Sequence, residues 1–309
     1  MRRPMPYLFP AGARLEKDNL ILHASARRHI VSSYAGPSSI KTVLRGRVSW
    51  VVRGRQLVVG PSSFLVLAAG EEYSMNIDAP RPVETCCAFF AQGFVEQVAA
   101  DLTSSTETAM EASERVVPSL PYLSSLHGDC ERVLTDQVWN LADHCERVLN
   151  PSGTEEQFLV LAISLLEYYK HIRDQSARVP AMRASTRQEL FRRLLIGRDY
   201  IHSHSSDALS LHAIARAACL SPCHFHRGFT QAFRQTPHDY LTGLRLAQAR
   251  NMIESGSSVL EACIAVGFSS PSAFTRLFLK RLGHPPSAFR RRFARTGKKV
   301  SSDPFTIHT

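Results

Sequence analysis

The stretch 265-AVGFSSPSAFTRLFLKRLGHPPSAF-289 decides the reading of the C-terminal half, because it repeats 217-AACLSPCHFHRGFTQAFRQTPHDYL-241. Phe225, Arg227, Phe229, Pro237 and Tyr240 stand 49 positions before Phe274, Arg276, Phe278, Pro286 and Phe289. Cys219, Leu220 and Ser221 stand 48 positions before Gly267, Phe268 and Ser269, so one residue is added within the second turn. Each copy reads as an apolar helix, a short turn containing Ser, and a second helix, which is the helix-turn-helix pattern. One such match is weak. Two at a fixed offset are a much stronger signal.

The helical period places the faces of each copy. Phe225, Phe229 and Ala232 share one side, and Leu211, Ile214, Ala215 and Ala218 form the matching side of the helix before. Cys223, His226, Arg227 and Thr230 fall on the opposite side. In the second copy Phe274, Phe278 and Leu282 face the core, while Ser272, Thr275, Arg276 and Leu279 face out. Between the copies, "PHDYLTGLRLAQARNMIES" reads as a long helix with apolar Tyr240, Leu241, Leu244 and Leu246 and basic Arg245 and Arg250. A rigid helix there would hold two reading helices at a set separation, roughly 34 Å for insertion on one face of a duplex.

Cys219, Cys223, His224 and His226 lie within eight positions and invite a metal reading. Tetrahedral zinc needs about four ligands converging on one point. Cys223 and His226 can share a helical face, but His224 points about 100° away from Cys223, and no CxxC pair is present. The second copy keeps the Phe and Arg spacing and has neither Cys nor His in the aligned turn and first helical turns. No metal and no cofactor is therefore expected.

Charge separates the two halves. The 309 residues carry a formal net charge of +10. Residues 181–309 hold 19 Lys and Arg against 7 Asp and Glu, a net +12, and residues 1–180 hold 18 against 20, a net −2. Such asymmetry points to a polyanion partner for the C-terminal half. Binding to a membrane surface would need a helix apolar on one face and basic on the other, and the basic half offers none. No stretch approaches the roughly 18 apolar residues of a membrane span, and the first residues lack an apolar signal core. A cytoplasmic protein with reduced thiols among its seven cysteines is expected.

Residues 38 to 92 read as strands. β-Branched runs are cut at Arg45-Gly46 and Arg53-Gly54, as in a meander of tight turns forming a small barrel or sandwich. Helical signals follow from about residue 93. "LHGDCERVLTDQVWNLADHCERVL" keeps Val133, Leu134, Val138, Leu141, Cys145, Val148 and Leu149 at helical intervals. "TEEQFLVLAISLLEYYKHIRDQ" opens on Thr154 with Gln157 three residues on, a capping-box pattern. It is apolar nearly all round from Phe158 to Leu166, so burial within the domain and burial against a second subunit are both open. "ARVPAMRAST", residues 177–186, is the linker candidate. The expected organisation is α+β: a barrel with following helices over 1–176, the linker, an all-α double helix-turn-helix over 187–296, and a tail over 297–309.

The segments "SLHAIARAACLSPCHFHRGFTQAF", "PHDYLTGLRLAQARNMI" and "SVLEACIAVGFSSPSAFTRLFLKRLGHPPSAFRRRF" resemble the AraC family of transcription regulators over about residues 187–293. The resemblance implies a double helix-turn-helix that places two recognition helices in successive major-groove segments of double-stranded DNA. The implied base-reading residues are Cys223, His226 and Arg227, then Ser272, Thr275 and Arg276. Arg227 and Arg276 are the best candidates, since an arginine can bond guanine O6 and N7 together. The run Arg290-Arg291-Arg292 with Arg295, Lys298 and Lys299 reads as phosphate-facing or solvated. Cys219 stands where many members of the family have Gly, and Gly228 falls inside the first reading helix.

The N-terminal half is loosely similar to the cupin-like ligand-sensing domains found ahead of such readers. Metal-dependent cupins carry an HxH pair and a Glu on their strands. "IKTVLRGRVSWVV" and "SSFLVLAAG" contain no His, so an enzyme is not expected; a cupin-type enzyme fused to a DNA-binding tail is the alternative. Trp50, Phe64, Tyr73 and Met75 are candidates to line an effector pocket, with ordinary core as the competing role. Glu71-Glu72 are either a cation site or solvated. The implied partners are DNA, a small-molecule effector, a second copy of the chain, and RNA polymerase if the protein is an activator, as the family tends to be.

Overall fold

The computed structural model describes residues 7–9, 13–61, 63–104, 125–128, 133–147 and 152–289. Two compact units divide the chain, Met1–Ser203 with Leu211–Pro237, and His204–Ser210 with His238–Thr309.

The first unit opens with a nearly closed, barrel-like antiparallel sheet. Its strands are β1 (Tyr7–Phe9), β2 (Leu20–Ala35), β3 (Ser39–Arg45), β4 (Val48–Val52), β5 (Arg55–Val59), β6 (Ser63–Leu67), β7 (Glu72–Phe89) and β8 (Ser125–Gly128). The hydrogen-bonded order is β1-β2-β7-β3-β6-β8, and β4 joins β7 to β5. The long β7 organises the sheet: its residues 73–76 pair with β4 and its residues 84–89 with β3, while β2 pairs along most of its length. The turns expected at Arg45-Gly46 and Arg53-Gly54 are both present, the second as a two-residue hairpin with positive φ at both positions.

Alternation sorts β3, β6 and β7 onto two faces. Ile40, Phe64, Val66, Cys86 and Ala88 pack against the helices α1 (Phe94–Ser104), α2 (Val133–Arg147) and α3 (Ser152–Ala177). Val43, Leu65 and Leu67 turn to the inner face with Val48, Trp50, Val52, Leu57 and Tyr73. A strand buried on both faces loses the apolar–polar alternation, and β3 and β6 are buried at nearly every position.

Several expectations are corrected here. β2 lies before the segment read as strands and carries His23 and His29. Residues 126–128, which open the stretch read as helical, belong instead to β8, which pairs with β6. Helix α3 begins at Ser152, so Thr154 is inside it rather than capping it; the Thr154 Oγ1 is buried without a hydrogen-bond partner among the described residues. Burial of α3 is one-sided: Phe158, Leu161, Ala162 and Leu165 are buried, whereas Leu159 and Val160 are 41% and 48% exposed. On α2, Val133 is exposed while Leu134, Val138, Leu141 and Cys145 are buried. Val148 and Leu149 lie outside the described residues, as do Arg290-Arg291-Arg292, Arg295, Lys298, Lys299 and the tail.

The first unit continues through α4 (Ala184–Ser203), α5 (Leu211–Ala217) and α6 (Pro222–Phe233). The C-terminal turns of α4 dock on β5. Arg55 Nη1 meets the buried Asp199 carboxylate at 2.7 Å, and Val58 N–H donates to Ser203 Oγ at 3.3 Å. Two glycines set the crossing of α4 and α6. A Cβ on Gly197 would sit 2.3 Å from the Phe225 ring, and one on Gly228 would sit 3.3 Å from two methyl carbons of Leu194. The space Gly228 keeps is therefore taken up by Leu194.

The second unit holds α7 (Pro237–Glu254, from His238 on), α8 (Val259–Ala265) and α9 (Pro271–Leu282). Leu246, Ala249, Ile253, Ala262, Cys263, Val266, Phe274, Phe278 and Phe289 form its core. Arg245 ties the unit together. Its guanidinium donates to the carbonyls of Ser205 at 2.7 Å, Asp207 at 2.6 Å and Gly267 at 3.2 Å. No described helix is long and apolar enough to cross a membrane.

Candidate nucleic-acid interface

The helix-turn-helix pairs of the two copies fold alike, α5 and α6 in the first unit and α8 and α9 in the second. Helix α5 and helix α8 both have seven residues, and α6 and α9 both have twelve. Ser221 caps α6 by accepting from His224 N–H at 3.3 Å, and Ser270 caps α9 by accepting from Ala273 N–H at 3.3 Å. A proline follows each cap, at a position where its missing N–H costs nothing. Helix α8 adds a full capping box between Ser258 and Glu261.

The faces fall as the period places them. Phe225, Phe229 and Ala232 of α6 and Phe274 and Phe278 of α9 are buried. Cys223, His226 and Arg227 are exposed on α6, and Ser272, Thr275 and Arg276 are exposed on α9. Neither Arg227 nor Arg276 is held by another group among the described residues. Other arginines of the basic half are held: Arg245 as above, Arg250 by Glu254 at 3.0 Å and Arg281 by Asp239 at 2.9 Å. Arg193 bridges Glu189 and the Cys219 carbonyl.

Around α6 the exposed face forms a shallow groove lined by Leu211, Pro222, Cys223, His226, Arg227, Thr230 and Gln231. Leu211, expected in the core, is 36% exposed on the wall of this groove. Gln231, one turn beyond Arg227, was not singled out by sequence; its spacing of four from Arg227 is the signal that would have found it. Leu282, also expected inside, is only partly buried. His224 is exposed, and among the described residues no group of three His, Cys, Asp or Glu is placed to hold a metal.

The turns differ in backbone strain. Cys219 takes φ +53° where the second copy has Gly267 at φ +84°, and Arg234 takes φ +58° where the second copy has Gly283 at φ +72°. Each pair occupies the same structural position: the end of the first helix of the motif, then the cap of the second.

In the N-terminal half the effector candidates are not gathered in one place. Phe64 packs toward the helices, with its ring 5.3 Å from that of Tyr168. Trp50 and Tyr73 lie on the inner face, 2% and 9% exposed, with Met75 packed beside them. Glu71 is clamped by Arg53 at 2.6 and 2.9 Å, and Glu72 accepts from Ser33 Oγ. His23 on β2 lies 3.2 Å from Glu84 and edge-on to Trp139.

One inner-face group escaped the sequence reading. Lys41 sits in the middle of β3 and is 2% exposed. Its Nζ lies 3.4 Å from the Tyr73 hydroxyl and 3.7 Å above the centre of the Phe89 ring. Burial pulls the ammonium down to about 8, with Cys87 acting in the opposite direction. Burial, with Cys87 and Tyr34, pushes the Tyr73 phenol up. A lone Lys in the apolar run "SSIKTVL" was the available signal.

Two capped helix-turn-helix motifs with free arginines on equivalent faces define a DNA-binding domain. Residues 214–292 match the family model described as "Helix-turn-helix domain", and the domain is of the AraC type. Among curated proteins, the chain is 33% identical over 92 residues to the uncharacterized HTH-type transcriptional regulator YobQ of Bacillus subtilis, covering 29% of this chain and 38% of that one. It is 34% identical over 92 residues to the HTH-type transcriptional activator RhaS of Escherichia fergusonii, covering 29% of this chain and 33% of RhaS. The chain thus spans only about a third of these relatives' lengths. Among solved structures, the DNA-binding domain of AdpA in complex with a target DNA is 26% identical, covers 34% of this chain and 96% of that chain, and superposes with a TM-score of 0.33.

Proposed function

We propose that the whole chain is a cytoplasmic transcription regulator that binds specific duplex DNA through α6 and α9, one in each of two successive major-groove segments. The observation that carries this reading is the repeated pair of exposed polar faces, each centred on an arginine no other described group holds. Arg227 and Arg276 are the proposed guanine contacts, and Cys223, His226, Ser272 and Thr275 complete the reading faces. The proposed functional division sets residues 1–176, as a sensing or dimerising part, apart from the DNA-binding part over 187–296, with 177–186 as the joint. A small molecule would act by favouring one arrangement of the chain over another. RNA polymerase is the further partner if regulation is by activation. The regulators among the relatives support a binding role rather than catalysis.

The test is selection of bound duplexes from a random pool with the full chain, followed by Arg276→Ala and Arg227→Ala. Each variant should lose about tenfold in discrimination between the selected and a random duplex, the equivalent of one bidentate contact at about 1–3 kcal/mol. Unchanged affinities for both duplexes, in a variant that remains folded, would remove base reading by that helix.

A further inference from the structure

The inner face of the sheet holds an ammonium without a counter-charge. No carboxylate pairs with Lys41 among the described residues, and its contacts are a phenol at 3.4 Å and two ring faces, Phe89 at 3.7 Å and Tyr73 at 5.1 Å. Two residues earlier on the same face, Ser39 keeps its Oγ buried without a hydrogen-bond partner among the described residues. Cys87 and Leu65 flank Lys41 in register on the adjacent strands. Val43, Leu67 and Leu57 supply apolar surface on the same side. An unpaired ammonium taken out of water is costly, and cation–π contact offsets only part of the cost. A methionine of similar volume would fill the space without it. Lys41 is therefore a poor choice for packing and a good one for meeting an anion.

We propose that Lys41 is the charge-recognising group of a ligand site on this inner face, and that its ligand is a monocarboxylate with an apolar body. This rests on the reading of the N-terminal half as a sensing domain and names what it senses. One ammonium balances one negative charge. The Lys41 ammonium, the Tyr73 hydroxyl and the Ser39 hydroxyl supply donors for two carboxylate oxygens. A phosphate monoester would bring a second charge into apolar surroundings with nothing to balance it. The rings of Phe89 and Tyr73 and the neighbouring leucines suit the ligand's hydrocarbon part. Of the effector candidates read from sequence, Tyr73 belongs to this site and Phe64 does not.

Thermal unfolding of the full chain with hexanoate and with phenylacetate tests the assignment, using hexanamide and phenylacetamide as uncharged matches. Binding of a carboxylate at a hundredfold excess over its Kd should raise Tm by roughly 5 °C, and the amides should leave it unmoved. Lys41→Met should keep or raise the basal Tm and weaken carboxylate binding at least about tenfold. Tyr73→Phe, which keeps the ammonium, should weaken it a few-fold and decides the matter if Lys41→Met fails to fold. The assignment is overturned if neither carboxylate shifts the wild-type chain, or if the shift survives in Lys41→Met. DNA affinity measured in parallel separates the two readings. A carboxylate that raises Tm but leaves DNA binding unchanged upholds the ligand site and overturns the sensing role. An amide that alters DNA binding where no carboxylate does upholds sensing and overturns the assignment to Lys41.

Discussion

Cys219 and Gly267 do the same backbone task with different chemistry. A side chain in the left-handed region costs about 1–2 kcal/mol, which Gly267 avoids and Cys219 bears at φ +53°. Part of any gain from glycine is lost to the greater freedom of the unfolded chain. Cys219→Gly should therefore raise stability by about 0.5–1 kcal/mol, read as a higher urea midpoint. The reverse exercise at Gly267 should be severe. An added Cβ would meet the Ser206 carbonyl oxygen at 2.5 Å as well as adopt the strained φ. Gly267→Ala should lose about 2 kcal/mol or more by the same measurement. The sequence marked Cys219 as a departure from the pattern of the family it resembles, and the dihedral supplies the physical meaning of that departure. Lys41 was less legible, since a single charged residue in a strand says nothing of which way the strand faces.

At the scale of elements, α5, α6, α8 and α9 were legible as two repeated helix pairs, because Phe225 and Phe229, and Phe274 and Phe278, recur at the helical period; their ends were not. The sheet was less legible. The outer part of β2 is exposed and basic, and no alternation announces it. β8 is four residues long and, among the described strands, pairs with β6 alone. Neither carries a local signal, because what fixes each is its partner strand rather than its own pattern. Close crossings were also hidden. Gly197 lies within α4, where the helical period gives no reason for a glycine, and its lack of a side chain admits the Phe225 ring. Gly197→Ala gains about 1 kcal/mol of helix propensity but drives a buried ring aside. The net expectation is a loss of about 1–3 kcal/mol in a denaturant titration.

For the molecule as a whole, charge told the halves apart, while compactness divides the chain elsewhere. The first helix-turn-helix motif shares a unit with the barrel-like sheet, and the second does not. Periodicity sees which residues are inside and not which element they are inside against. Helix α4 shows the consequence. His202 is buried near its C-terminal end, and burial, aided by Arg198 and Arg47, pulls its imidazole down to about 3. The unfolded chain would take up a proton near pH 6.5. Between about pH 6.5 and 3 the unfolded state then binds more protons, so this contribution is complete above pH 6.5 and falls away as the pH drops. The slope is at most about 1.4 kcal/mol per pH unit. His202→Gln should flatten the pH dependence of Tm across that range.

The thiols offer a practical consequence of the same architecture. Of the described cysteines, Cys86, Cys87, Cys145 and Cys263 are buried, and only Cys219 and Cys223 are exposed; Cys130 lies outside the described residues. Cys219 lies in the turn before α6 and Cys223 in the first turn of that helix. A maleimide dye added to the unaltered chain would, among the described positions, mark this turn and the helix start that follows it. If the proposed duplex contact at α6 holds, the protein carries its own reporter there, and binding should slow the labelling rate without a single substitution being introduced.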